Sequence, residues 1–175
     1  MKAIATCFWI IGCGVALADR PPDPNKEGSH SHLLSYSLEF EAGKGDKKAC
    51  FVATLTNVSD QKLKVMVNDK EFHATLHISS PGGLPYEAYD AKYLGLLLTS
   101  EWGDPVVTLE PKKSITWVVP LSSLRTLHDK EVTHESLQGC SVLTEMNMAV
   151  VPPDGNYIAN NARQKSNPLV IPDKD

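Results

Sequence analysis

The chain has 175 residues with four cysteines, and 17 Lys plus Arg stand against 21 Asp plus Glu for a formal net charge of −4. That length suits one domain that buries a core without help from metals or many crosslinks. The charge is dispersed with no basic run to track a phosphate backbone, which argues against a nucleic-acid partner.

Residues 1–18, MKAIATCFWIIGCGVALA, have the layout of a signal peptide. Lys2 supplies a minimal positive start, an apolar stretch follows to Leu17, and Ala16-Leu17-Ala18 forms a small-x-small cleavage site before Asp19. The apolar run is too short for a membrane span, and glycines interrupt it, so no integral span is expected once it is removed. A rival reading takes Ile10-Ile11-Gly12-Cys13 as a lipoprotein box, with a lipid on Cys13. Either way the expected location is outside the cytoplasm, periplasmic or secreted. Loss of Lys2 with the signal takes the net charge from −4 to −5.

Residues 19–32, DRPPDPNKEGSHSH, are rich in proline, charge and small polar side chains and are expected to form a flexible arm. A single domain should then run over 33–172. Tyr36, Leu38 and Phe40 alternate with Ser37, Glu39 and Glu41 as in a half-buried strand, and Gly43-Lys44-Gly45-Asp46 turns the chain. Cys50–Thr56 is rich in β-branched and aromatic residues, and Asn57-Val58-Ser59-Asp60 separates it from Lys62–Val67. These two runs are expected to pair as a hairpin. Phe72–Ile78 alternates again and stops at Ser79-Ser80-Pro81-Gly82-Gly83. Further strands are expected at Tyr93–Thr99, Val106–Leu109, Ser114–Val119, Cys140–Val151 and Leu169–Ile171. Helical spacing occurs only over Leu121–Val132. Many short strands with turns between them, and at most one short helix, predict an all-β protein: an immunoglobulin-like antiparallel β-sandwich with Greek-key connections.

Two stretches carry a family resemblance. Cys50–Asp60, ending in Thr56-Asn57-Val58-Ser59-Asp60, is similar to the strand and turn of many exported immunoglobulin-like domains. Tyr93-Leu94-Gly95, followed by Val107-Thr108-Leu109-Glu110-Pro111-Lys112-Lys113-Ser114, resembles the "YxG … VxLxPGxS" pattern of the immunoglobulin-like domain that precedes deuterolysin-type metallopeptidases. Lys112 stands where that pattern has glycine, and no peptidase domain follows in this sequence. The resemblance therefore implies a fold and no activity.

Removal of the signal leaves Cys50 and Cys140, for which a structural disulfide is the expected state in an oxidising compartment. In the chain-entropy model, closing so long a loop contributes roughly 4–5 kcal/mol. Val52 shares a face with Cys50, and Val142, Met146 and Met148 share one with Cys140, so a buried bridge is consistent with both alternations. Asn57-Val58-Ser59 also matches a glycosylation acceptor.

The densest set of groups able to ligate a metal or move a proton is His128, Asp129, Glu131, His134 and Glu135. Within it, His134-Glu135-Ser136-Leu137-Gln138 begins like H-E-x-x-H, but Gln138 occupies the second histidine's position. His73 and His77, if on a strand, lie roughly 13 Å apart and cannot share one ion. His30 and His32 sit on the arm. The sequence contains no G-x-S-x-G elbow, G-x-G-x-x-G or P-loop, so no enzymatic activity and no cofactor are expected. The segment Leu84–Trp102 concentrates Tyr86, Tyr89, Tyr93 and Trp102. Such residues join large apolar area to a polar handle and dominate binding hot spots. Its bland alternative is that Tyr93 and Leu94–Leu98 belong to the core.

These features point first to a non-catalytic, exported interaction module that binds an unidentified protein, with Tyr86, Tyr89 and Trp102 as its surface. A metal-binding protein or metal-dependent enzyme using His128, Glu131, His134 and Glu135 is the alternative, and a structural envelope component a third.

Overall fold

A computed structural model describes residues 31–43, 48–94, 105–151 and 160–172. The expected signal, most of the expected arm, and residues 95–104 with Trp102 among them lie outside the described residues. A 3-10 turn at Ser31–Leu33 leads into β1 (Leu34–Glu41), where Leu34, Tyr36 and Leu38 point inward and Ser35, Ser37 and Glu39 point to solvent. β1 pairs antiparallel with β2 (Cys50–Asn57), and β2 with β7 (Ser114–Pro120). These make a three-stranded sheet in the order β1-β2-β7. Phe51, Ala53 and Leu55 of β2, with Trp117 and Val119 of β7, are its other inward residues.

The second sheet contains β3 (Leu63–Met66), β4 (Thr75–Ser79), β5 (Tyr86–Asp90), β6 (Val106–Leu109), β8 (Leu124–Thr126), β9 (Ser141–Val151), β10 (Asn160–Lys165) and β11 (Leu169–Val170). β9 is its spine. Along one edge β4 pairs with Ser141–Glu145 and β3 with Ala149–Val151. β10 pairs over Glu145–Val150, and β11 at Ser141 and Val142. The strand order β6-β3-β9-β4-β5-β8 therefore hangs two separate groups from one long strand. Every pairing among the described strands is antiparallel.

One core cluster lies between the sheets, drawing Phe51, Leu55 and Trp117 from the first and Val65, Leu76, Ile78, Val142 and Met146 from the second. Tyr36 Oη and Thr144 Oγ1, 3.2 Å apart, form a buried polar tie across it. A smaller cluster of Tyr89, Tyr93 and Leu94 lies apart from it.

The expectation of a β-rich antiparallel chain is met, and several local expectations are corrected. β2 and β3 are not a hairpin: the turn after Asn57 carries the chain from one sheet to the other. Residues 91–94 are helical, so the strand expected from Tyr93 does not begin there. The helical spacing over Leu121–Val132 resolves into a 3-10 turn at Leu121–Ser123 and then β8. Leu121 and Leu124 are buried and Leu127 is exposed, a pattern that the turn and strand produce without a helix. A second short helix, α1 (His134–Leu137), exceeds the one short helix expected, with Thr133 and Ser136 forming a capping box at its start.

Candidate functional site

The Tyr86 region is placed by a hairpin. Ser80-Pro81-Gly82-Gly83 turns the chain between β4 and β5, with the Gly83 amide donating to the Ser80 carbonyl at 3.2 Å and Gly82 at φ 71°. The register sets Ile78 opposite Tyr86 and His77 opposite Glu87. Tyr86 thus starts on the core-facing side, at the rim, half-buried against the core. Burial raises its phenol pKa, the neighbouring Cys140 adds to this, and the Ser136 hydroxyl opposes it. Leu84, two residues earlier, is 89 % exposed.

The turn after β8 meets this rim. Asp129 donates its amide to the Thr126 carbonyl at 2.9 Å, and Thr126 its own to the Lys130 carbonyl at 3.0 Å. This presents Leu127, 60 % exposed, and His128 beside Tyr86. Two concavities meet there. One, about 450 Å³, is lined by His77, Pro85, Tyr86, Glu87, Leu127 and His128. The other, about 340 Å³, is lined by Tyr86, His128, Lys130, Glu131, Val132 and Ser136. Tyr86, Thr126 and His128 belong to both, so together they form a continuous cleft with an apolar floor and charged groups around it.

On the solvent-facing side of the second sheet, a polar network backs the cleft. His77 Nδ1 lies 3.3 Å from Glu87 Oε1, and its Nε2 lies 3.8 Å from Glu145 Oε2. Glu145 also receives Arg163 Nε at 2.8 Å and Lys165 Nζ at 3.0 Å. The Tyr89 hydroxyl donates to Glu87. Burial, followed by the Glu87 carboxylate, pushes the Tyr89 phenol up to about 12.

The expected aromatic surface is therefore only partly assembled. Tyr86 lines a cleft, whereas Tyr89 is 7 % exposed within β5 and packs with Tyr93 and Leu94. It is a packing residue, not a loop hot spot. Trp102 lies outside the described residues. Leu127 and His128 complete the cleft, and Leu84, next to Pro85, stands exposed beside it; His128 is visible in the sequence only as a potential ligand.

The proposed ligand patch is divided. His128 and Glu131 line one wall of the cleft, but Glu131 is paired with Arg125 Nη2 at 3.3 Å. His134, on α1, packs on Phe40 with ring centroids 5.1 Å apart, and Glu135 is exposed in the first turn of the same helix. Gly139, at φ 67°, follows a helix of four residues, so no second ligand could follow one turn later. Among the described residues no group of three or more His, Cys, Asp or Glu is arranged to hold a metal ion. His73 lies 3.5 Å from Glu71 and stacks on Tyr93 at 5.0 Å, and His77 is engaged as above.

Cys50 and Cys140 are both buried free thiols, and the expected disulfide is not formed in the structure. Alternation gives the reason. Cys50 shares its face with Val52, but Phe51, Ala53 and Leu55 hold the inward face of β2, so Cys50 points away from the second sheet. Its Sγ lies 3.9 Å from Glu41 Oε2. Cys140 does lie in the core cluster, 3.5 Å from the Ser136 carbonyl.

Asn57 is fully buried, which sets aside its role as a glycan acceptor in the folded chain. Its Nδ2 donates to the Gln61 and Leu109 carbonyls at 2.7 and 2.9 Å, and its Oδ1 accepts from Ser59 N and Oγ at 3.0 and 2.7 Å. Beyond it, Lys112 takes φ 60°, and its Nζ donates to the Val58 carbonyl at 2.6 Å and pairs with Asp60 at 3.1 Å.

No protein-family model matches the chain, and no curated protein matches it. Among solved structures, the X-ray structure of Northeast Structural Genomics Consortium target SoR45 is similar over 79 % of this chain and 84 % of its own, at 13 % identity and a TM-score of 0.34. A likeness that distant carries no functional argument. No helix among the described residues is long and apolar enough to cross a membrane.

Proposed function

We propose that this chain is an exported, non-catalytic interaction module on an immunoglobulin-like sandwich, and that it binds another protein through the Tyr86 cleft. The observation that carries the reading is the continuous cleft, floored by Pro85 and Tyr86 and edged by His77, Glu87, Leu127, His128 and Lys130. An apolar floor with a few polar groups around it is the usual composition of a binding surface, and loops on a rigid scaffold commonly carry one. The sandwich reading rests on the two sheets sharing one core and on the crossings β2 to β3 and β6 to β7 between them. Export rests on residues 1–18.

The test is capture from the source's exported fraction with the chain from Asp19 to Asp175 as bait. Leu84→Asp and Leu127→Asp lie on the exposed rim and should leave the melting temperature within about 1–2 °C, since such surface changes cost under about 0.5 kcal/mol. The reading requires a single saturable partner that both variants lose. A partner retained by both variants, or no saturable partner, removes the cleft as the binding surface.

A further inference from the structure

We propose a second recognition site, independent of the Tyr86 cleft, at the open edge of β7: it takes an extended polypeptide strand carrying a basic side chain. Hydrogen bonding along β7 can be read residue by residue. The Asn57 amide donates to the Lys113 carbonyl at 3.0 Å, and the Leu121 amide to the Ala49 carbonyl at 3.1 Å. In the β2–β7 register these are the pairs just beyond Thr56↔Ser114 and Cys50↔Pro120. Antiparallel pairs alternate between those that exchange bonds and those that turn their backbone groups away. Odd-numbered residues of β7 therefore bond to β2. Ser114, Thr116 and Val118 turn both N–H and C=O outward.

Pro120 closes one end of this row. It has no N–H to offer, and its carbonyl accepts from the Ser123 hydroxyl at 3.0 Å. Proline is one of the devices by which proteins blunt an edge, as are charges and bulges. The rest of the row has none of them: its side chains are Ser, Thr and Val, and Val118 is 64 % exposed. Among the described residues no backbone group pairs with this side of β7. The other outer strands differ: β6 has four residues and β8 three, with Arg125 of β8 bridged to Glu131, while β10 carries Arg163 and Lys165 and β1 carries Glu39 and Glu41. β7 runs seven residues.

An added extended backbone pairs with such a row in place of water. Its side-chain preference is set by the cavity beside it, about 200 Å³, bounded by Asp69, Lys70, Glu71, Asp90, Lys92 and Trp117. Lys92 Nζ is paired with Glu71 Oε1 at 3.2 Å, and Asp90 Oδ1 accepts from the Lys92 amide at 3.0 Å, which leaves Asp69 and the second oxygen of Asp90 against Lys70. Trp117 Nε1 donates to the Asn68 carbonyl at 2.9 Å, so the indole is fixed at the cavity wall. An added strand points alternate side chains into this space. A lysine or arginine there lays its stem along Trp117 and brings its charge to Asp69 and Asp90. A second copy pairing its β7 with this one does not meet this demand, because β7 contains no basic residue and its inward Trp117 and Val119 are held in its own core.

The probe is the heptapeptide acetyl-TVTKTVT-amide, titrated into the ¹⁵N-labelled chain from Asp19 to Asp175, with amide hydrogen exchange as readout. In the free protein the Ser114, Thr116 and Val118 amides should exchange at least tenfold faster than those of Trp117 and Val119. Saturating peptide should slow all three by at least tenfold. Its Lys→Glu counterpart should bind at least tenfold more weakly, with most of that difference abolished by Asp69→Asn and Asp90→Asn together. Leu127→Asp should change none of this. Slow exchange at the three positions without peptide shows that this chain covers its own edge and overturns the proposal. Protection that rises with protein concentration alone assigns the edge to self-association, and equal binding of the two peptides refutes the basic preference; each also overturns it.

Discussion

Replacing Asn57 by Ala tests how the two sheets are joined. The Asn57 side chain is fully buried and makes four hydrogen bonds at the turn where the chain leaves β2 for β3. Alanine removes all four. The Leu109 carbonyl, at the end of β6, loses a donor in a buried setting, which costs about 1–3 kcal/mol. Gln61 and Ser59 are more exposed and regain water, so their bonds count at the smaller net value of about 0.5–1.5 kcal/mol each. The expected loss is therefore about 2.5–7.5 kcal/mol. With about 2–4 °C per kcal/mol for a chain of this size, the melting temperature should fall by roughly 5–30 °C. Urea unfolding followed by circular dichroism measures it directly. Asn57→Asp should be worse than Ala at neutral pH, because a carboxylate then faces the Gln61 and Leu109 carbonyls, and should partly recover in acid as it gains a proton. A loss under about 1 kcal/mol for Asn57→Ala, or no acid recovery for Asn57→Asp, would refute the argument that these bonds hold the crossing.

Thiol titration of the chain from Asp19 to Asp175 should find Cys50 and Cys140 unreactive in the native state and both reactive in denaturant without reductant, because burial raises both thiol pKa values. Absence of free thiol after denaturation would show that the disulfide forms. The Tyr89 phenol, pushed up to about 12 by burial and Glu87, contributes stability that is complete below the unfolded value near 10 and declines as pH rises from there towards 12. Tyr89→Phe should flatten that alkaline decline in the urea midpoint; an unchanged slope would assign it to other groups. Lys92 Nζ lowers the Glu71 pKa, chiefly by hydrogen bonding. That carboxylate's stabilisation is present above its unfolded pKa and lost as pH falls through the depressed folded one, so Lys92→Met should move the Glu71 NMR titration upward. No movement would mean that the pair is broken in solution.

Strands with one face in the core and one turned outward are legible in the sequence, because burial then repeats with the pleat: Tyr36 and Leu38, Leu76 and Ile78, Trp117 and Val119 each alternate with exposed or half-buried partners. β5 is hidden for the opposite reason. Ala88 faces the main core while Tyr89 is covered by Tyr93 and Leu94, so both faces are buried and the alternation vanishes. β10 is hidden because Arg163 and Lys165 contribute through ion pairs with Glu145, which composition reads as a polar loop. Cys50-Phe51-Val52 offers three apolar residues in a row, and the pattern alone cannot say which parity turns inward; the structure selects Phe51. Of the candidate surface, Tyr86 is visible in the sequence as an aromatic near a turn. Leu127 and His128 reach it only through the pairing of β5 with β8, which no local signal encodes.

β9 bears on how the protein is made. Its partners β3 and β4 precede it by more than sixty residues, and β10 and β11 follow it. Until this strand has left the ribosome, the two groups that flank it share no ladder with each other, and the inner surface of the first sheet has no spine opposite it. A chain emerging from its N-terminus therefore stays open until β9 has been made, and its native closure waits on that one strand.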